Sequence, residues 1–355
     1  MERRDNIFLL ILLLLSASKL LSCTGGESKK LSQLDSLNTG IIPATIAFGS
    51  CSHEYDDNQL WEEVMTHDPD IWIWMGDNIY GDSYYMNVLS EKYERQKMRD
   101  SYQKLLNSRV NIIGTWDDHD YGINDGGRYY YMKKESKELM LEFLDVPLDH
   151  PVRQREGVYQ SYTFGKDDKQ VKVILLDTRN FRDSLNIDFP ENKRTYVGNP
   201  DGDILGEEQW KWLANELTES NAVIHIIGSS IQVLSEEHRW EKWSNFPKSR
   251  ERLFQLLVSK KPVRTLFLSG DRHIAEISRI EIPGYPYPLY DFTSSGLTHT
   301  WDNASIEPNK HRVSDFIIAK NFGLINIDWK PEGPEVLLQI KGGNNVLLEE
   351  YWLEW

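Results

Sequence analysis

Cysteine is nearly absent from this chain: Cys23 and Cys51 are the two in 355 residues. Two thiols cannot build the disulfide framework that staples small secreted domains. Positive charge is also scarce, with 40 Lys and Arg against 55 Asp and Glu and a formal net charge of −15. That balance argues against a nucleic-acid partner, because binding a phosphate backbone needs a basic face. An acidic protein that acts on a phosphate needs local positive charge, which bound cations can supply. Long apolar runs are missing too. Ile7–Leu15 is nine residues long, too short to span a bilayer as a helix. No internal repeat, low-complexity tract or interdomain linker is visible.

What is present begins at the N-terminus. Arg3 and Arg4 precede the Ile7–Leu15 run, the layout of a secretory signal. Leu20-Leu21-Ser22-Cys23 resembles a bacterial lipobox, in which cleavage before Cys23 precedes its lipidation. The expected division is a lipoprotein signal over 1–22, a tether over 23–43 and a catalytic domain over 44–355. The expected location is the cell envelope, in the periplasm or at the outer-membrane surface, with the membrane as partner through Cys23. Lipidation of Cys23 leaves Cys51 without an intramolecular partner. Its thiol is then either buried and inert or held as a metal thiolate.

Forty per cent hydrophobic content, with 12 Trp and 17 Tyr, is ample for a core. The first half alternates strand and helix, with strands at 44–49, 71–75 and 110–115 and helices near 57–67, 90–107 and 131–144. This rhythm predicts a largely parallel sheet. Val158–Phe164 and Val171–Leu176 flank a polar turn and read as an antiparallel hairpin. Residues 182–204 carry no periodicity and read as a long loop. A helix at 206–217, a strand at 222–227, a helix near 249–259 and a strand at 263–268 follow. Short strands at 275–280, 289–294, 323–328, 335–340 and 346–352 complete the chain, and the expected class is α/β.

Polar clusters stand where the buried strands stop. They are Gly49-Ser50-Cys51, Gly76-Asp77-Asn78-Ile79-Tyr80, Asp117-Asp118-His119-Asp120 and Gly270-Asp271-Arg272-His273. Ligands of α/β proteins sit at the carboxyl ends of strands, so these side chains describe a metal centre better than a core. A carboxylate such as Asp77 can bridge two cations. A Tyr80 phenolate suits trivalent iron, and a Cys51 thiolate suits iron or zinc and hardly calcium. Asp118, Asp271 and His273 complete an oxygen- and nitrogen-rich set.

At these residues the chain resembles the PhoD-like alkaline phosphatase family, within the calcineurin-like metallophosphoesterase superfamily. The matching stretches also include Leu176-Asp177-Thr178-Arg179 and Thr293-Ser294-Ser295-Gly296-Leu297-Thr298, and together they cover 46–298 in family order. The resemblance implies a four-layer αββα sandwich of two mixed sheets flanked by helices. It implies Fe(III) held by Cys51, Asp77, Tyr80 and the Asp271/His273 loop. It also implies Ca(II) bridged by Asp77 and held by Asp118 and that same loop. His119 corresponds to the superfamily's histidine beside the phosphate, a candidate proton donor or transition-state stabiliser. Arg179 either grips a phosphate oxygen or serves as a salt-bridge residue. Asn78, Gln232 and His299 are further candidates for substrate contact.

The resemblance has departures. About twenty residues separate Cys23 from the first strand, and strands close the other end, which together suggest an open cleft. No histidine stands after the fourth core strand, where Gly228-Ser229-Ser230-Ile231-Gln232-Val233 is found. His225 reads as a core histidine, and Trp240–Trp243 as a pocket wall or packing. The expected activity is hydrolysis of phosphate mono- or diesters by a cation-activated water. The alternatives are a diesterase acting on membrane lipid and a non-catalytic surface lipoprotein that binds its partner through exposed aromatics.

Overall fold

Side-chain alternation along the buried strands sets the layers. In Ile71-Trp72-Ile73-Trp74-Met75, successive residues face opposite sides. Ile71, Ile73 and Met75 enter one core, whereas Trp72 and Trp74 enter another. The structure, a computed structural model, describes residues 37–57, 59–301 and 305–355. The expected signal segment (1–22), Cys23 and the tether up to residue 36 lie outside the described residues. Residues 37–43, assigned to the tether by sequence, dock on the sheets. Leu37 and Ile41 pack against the central core, and the Asn38 N–H donates to Asn111 Oδ1 at 2.7 Å.

The strands are β1 (Thr45–Gly49), β2 (Ile71–Met75), β3 (Asn111–Thr115), β4 (Gln160–Phe164), β5 (Val171–Leu175), β6 (Asn186–Asp188) and β7 (Thr195–Val197). They continue with β8 (Ile224–Gly228), β9 (Thr265–Ser269), β10 (Ala275–Ile280), β11 (Leu289–Ser294), β12 (Phe322–Lys330), β13 (Gly333–Lys341) and β14 (Leu347–Trp352). One six-stranded sheet has the order β14-β13-β12-β1-β2-β3, and the other β10-β11-β9-β8-β5-β4. In the first, β1, β2 and β3 are parallel and the rest antiparallel. In the second, β11, β9, β8 and β5 are parallel, with antiparallel β10 and β4 at the edges.

Three cores separate four layers. Ile46, Phe48, Ile73 and Met75 meet Val173, Ile226, Leu268 and Phe292 between the sheets. Trp61, Tyr93, Tyr102 and Met140, from helices, cover the outer face of the first sheet. Trp210, Leu213, Leu253 and Leu257 cover that of the second. The expected sandwich of two mixed sheets flanked by helices is what the chain builds.

Some boundaries differ from the sequence reading. The helical stretch 90–107 is two helices, Met86–Lys97 and Asp100–Leu106, separated by Arg99 in an extended conformation. No Gly or Pro marks that break. The Arg99 guanidinium reaches the Glu54 carbonyl and sits 3.0 Å from Asp57 Oδ1. The long loop 182–204 contains the β6–β7 hairpin, and a four-residue helix, Asp118–Tyr121, begins within the acidic cluster.

Candidate metal centre

The loops after β1, β2 and β3 meet those after β5, β8 and β9. Thr115 Oγ1 donates to the Leu176 carbonyl at 2.9 Å, and the Gly270 N–H donates to the Ser230 carbonyl at 2.9 Å. Both sheets therefore deliver their strand ends to one place, where an α/β protein binds its ligand.

Among the described residues, three groups of side chains that could hold a metal ion form there: Cys51, Asp77 and His273; Asp77, Asp118 and His119; and Asp117, Asp118 and Asp271. Within each group the donor atoms lie within 4.8 Å of one another. Asp77 belongs to two groups and Asp118 to two, so carboxylates chain all three together. The Cys51 thiol donates to Asp77 Oδ2 at 3.4 Å. Tyr80 Oη lies 3.0 Å from His273 Nε2, which joins the phenol to the first group.

The backbone is bent to bring these atoms inward. Cys51, Asp77, Asp271 and His273 have φ of 60°, 50°, 67° and 53°, the left-handed region that costs a non-glycine residue about 1–2 kcal/mol. Strained residues that gather in one cleft point to a functional site. Asp120 ties the loops together: its carboxylate accepts the N–H groups of Asp117 (2.6 Å), Asp77 (3.3 Å) and Asn78 (3.1 Å).

Burial pushes the Asp77 carboxyl well up, and Asp118, Asp117 and Asp120 add to it against the opposing pull of His119. Burial, then Asp117 and Asp118, does the same to Asp271. Burial and the Asp77 charge raise the Cys51 thiol, and burial with Cys51 and Asp77 raises the Tyr80 phenol. For Asp118, burial is outweighed by His119 and Arg179, which hold it below the usual carboxylate range. His119 donates to or shares a proton with both oxygens of Asp82 at 2.8 Å. Burial would lower it, yet Asp118, Asp77 and Asp82 together raise it to about 11. Burial, His299 and Arg272 bring His273 down to about 3, which keeps it the neutral imidazole a cation requires.

The residues fit cations. Asp77 Oδ1, Asp117 Oδ2 and Asn78 Oδ1 are buried without a hydrogen bond among the described residues, a costly arrangement unless something positive meets them. The donors grade from thiolate, phenol and imidazole at one end to carboxylates alone at the other.

The structure brings Cys51, Asp77, Tyr80, Asp118, His119, Asp271 and His273 together. His299 joins at the edge, its ring 4.4 Å from His273 and 5.1 Å from Tyr80. Asn78 gives its Nδ2 to the Thr115 carbonyl, which leaves Oδ1, an acceptor suited to a cation and not to a phosphate oxygen. Gln232 is directed elsewhere: its amide donates to Glu276 and Thr293, both at 2.8 Å. Arg179 is wholly buried, with Nε on Asp117 Oδ1 and Nη1 on Glu241 Oε2, each at 2.6 Å. Those contacts give it a salt-bridge role, while its Nη2, 3.9 Å from Asp118 Oδ1, makes no hydrogen bond among the described residues. His225 is a core histidine, its ring nitrogens 2.8 Å from the Val263 carbonyl and from Ser220 Oγ. Trp243 packs in the second sheet's outer core, whereas Trp240 lines a cavity.

Asp117, Asp82, Glu241 and Ser230 were missed as site residues. Asp117 stood in view beside Asp118, but adjacent residues on a turn diverge and spacing did not say which would point inward. Ser230 occupies the place where a histidine was sought, and its hydroxyl donates to Asp117 Oδ1 at 2.5 Å.

The model of the PhoD-like phosphatase family matches residues 46–332. The chain belongs to the PhoD-like phosphatase family. Alkaline phosphatase D of Bacillus subtilis (strain 168) is 22% identical over 292 residues, covering 71% of this chain and 50% of that protein. The chain thus spans about half the length of this curated relative. A solved structure of PhoD superposes with a TM-score of 0.64 at 16% identity, over 89% of this chain and 72% of that one. A dimetal phosphatase from Danio rerio gives 0.51 at 14%, over 88% and 99%. For this family member, both likenesses support the two-sheet sandwich.

Proposed function

We propose that this chain is a metal-dependent phosphoric ester hydrolase acting on phosphodiesters, phosphomonoesters or both. The observation that carries the reading is the chaining of three ligand groups through Asp77 and Asp118 at the ends of strands from both sheets. Membership in the PhoD-like phosphatase family supports it.

Cys51, Tyr80, Asp77 and His273 offer the soft and phenolic donors that suit iron. Asp117, Asp118 and Asp271 offer only oxygen, which suits calcium. When bound, such cations polarise phosphoryl oxygens and lower the pKa of a water that attacks in line. The chain's own contribution is placement. Asp120 fixes the Asp77 and Asp117 loops, and Arg179 with Ser230 holds Asp117 from behind. His119, held 2.8 Å from both oxygens of Asp82, presents its other ring nitrogen either to a cation beside Asp77 and Asp118 or to the negative charge that develops on the phosphoryl group or leaving oxygen. The same proposal places the protein at the cell envelope through a lipid on Cys23, on the strength of residues 1–23.

The test combines elemental analysis with hydrolysis of bis-p-nitrophenyl phosphate and p-nitrophenyl phosphate. Wild-type protein is expected to carry stoichiometric iron, and Asp77→Ala to lose metal and turnover together. Cys51→Ser is expected to lose iron while its melting temperature stays near that of wild type. Unchanged iron in Cys51→Ser removes the thiol from the ligand set. Absence of turnover on both esters by metal-replete protein overturns the reading.

A further inference from the structure

A second cavity leads away from the metal centre, and the proposed hydrolysis does not use it. The small space over the centre, lined by His119, Asp271 and His273, shares Trp240, Arg272 and Trp301 with a neighbouring cavity of about 960 Å³. The shared wall is a row of flat groups. His273 lies 5.7 Å from Trp301 at an interplanar angle of 28°, and Trp301 lies 5.5 Å from Trp240 at 27°. Arg239 and Arg272 sit 4.2 and 5.5 Å from the Trp240 ring centre. Trp301 remains 45% exposed and so offers apolar ring surface to a ligand in the cavity.

His238 lines the same cavity and is 95% buried, yet its Nε2 has no hydrogen-bond partner among the described residues. Its Nδ1 accepts the Trp240 backbone N–H at 3.2 Å. The proton of the neutral ring is therefore on Nε2, an unmet donor. Burial and the nearby Arg272, Lys242 and Arg312 keep the ring neutral. Stacked rings, cations over their faces and one buried donor form a recognition surface for a planar heteroaromatic group with an acceptor edge. An acyl chain fits less well, because Glu237, Arg239, Arg272 and Glu307 would lose water against it.

We propose that this cavity is a subsite for a nucleobase carried on the alcohol arm of the phosphate ester, packed against the exposed part of Trp301 at the end of the ring row and met by His238. This rests on the hydrolase reading and names its substrate class: nucleoside phosphodiesters.

The test compares thymidine 5′-p-nitrophenyl phosphate with methyl p-nitrophenyl phosphate, which release the same leaving group. Wild-type protein should favour the nucleoside ester about tenfold or more in kcat/KM, the range that base–aromatic stacking supplies. Trp301→Ala and His238→Leu should each reduce that ratio, and Trp301→Phe should retain most of it. Calorimetry should show thymidine 5′-monophosphate binding about tenfold more tightly than ribose 5-phosphate, and this difference should vanish in Trp301→Ala. Equal kcat/KM for the two esters, or a ratio unmoved by Trp301→Ala, overturns the subsite and leaves the hydrolase reading standing. Turnover of neither ester sinks the hydrolase reading, and the calorimetric pair then judges the subsite alone, with equal affinities refuting it.

Discussion

Replacing Arg179 with methionine separates two roles that an arginine at a strand end could fill. The guanidinium holds Asp117 and Glu241 at 2.6 Å each, and all three side chains are at most 2% exposed. Breaking a buried pair by removing one partner costs about 3–5 kcal/mol, because the surviving charge is left unpaired. Two contacts soften the loss here. Glu241 keeps Arg182 at 2.9 Å, and Asp117 keeps the Ser230 hydroxyl. The expected destabilisation is therefore about 3 kcal/mol, read by urea titration of chelator-stripped protein at pH 7.5. Burial raises the Asp117 carboxyl to about 6 against the opposing charge of Arg179. Below pH 6 that carboxyl is protonated with or without the arginine, so the Asp117 share of the loss should shrink there. Asp117→Asn placed on Arg179→Met should add little further cost, since it deletes the stranded anion. Stability within about 0.5 kcal/mol of wild type, accompanied by a raised KM for bis-p-nitrophenyl phosphate, would refute a stabilising role for the salt bridges and favour the phosphate-gripping role.

Gly76 has φ of +93°, and a Cβ there would collide with Asp117 Cβ and lie 2.7 Å from the Asp117 nitrogen. Gly76→Ala should cost roughly 2–4 kcal/mol from strain and overpacking and should lower metal content, and a variant with wild-type melting and full metal would contradict the close approach of the two loops. For His225, burial outweighs the help of the Val263 carbonyl and lowers the ring to about 4, against 6.5 in the unfolded chain. The unfolded chain binds the proton first, so stability is lost as pH falls from 6.5 towards 4. At about 1.4 kcal/mol for each pH unit, this group contributes roughly 3 kcal/mol of that decline. Denaturant titrations of wild type and His225→Gln at pH 7.5 and 4.5 should show a shallower decline in the variant; equal declines would acquit His225.

The strands were legible because each is short, apolar and bounded by polar or glycine residues, as in Asp70-Ile71-Trp72-Ile73-Trp74-Met75-Gly76. Periodicity of this kind is local, so β1, β2, β5 and β9 could be placed to within a residue or two. The break at Arg99 was not legible, since neither Gly nor Pro marks it and the groups Arg99 meets lie 42 and 45 positions earlier. The β6–β7 hairpin was hidden in a polar stretch without alternation. In the site, strand-end position identified Cys51, Asp77, Asp118 and His273 as candidates, because the chain has few other reasons to put such groups after buried strands.

Residue order alone was enough to say which side chains stand at strand ends and that their chemistry suits cations, because hydrophobic alternation and donor type are properties of neighbouring residues. Folding was needed to bring Asp117 beside Asp118 and Asp271 as a further carboxylate of the site and to lock Arg179 behind it. Folding also directed Gln232 to Glu276 and set Trp301, Trp240 and His238 in one wall. Those outcomes depend on how two sheets register against each other and on backbone turns with positive φ. Both arise from contacts between residues far apart along the chain, which no local pattern encodes.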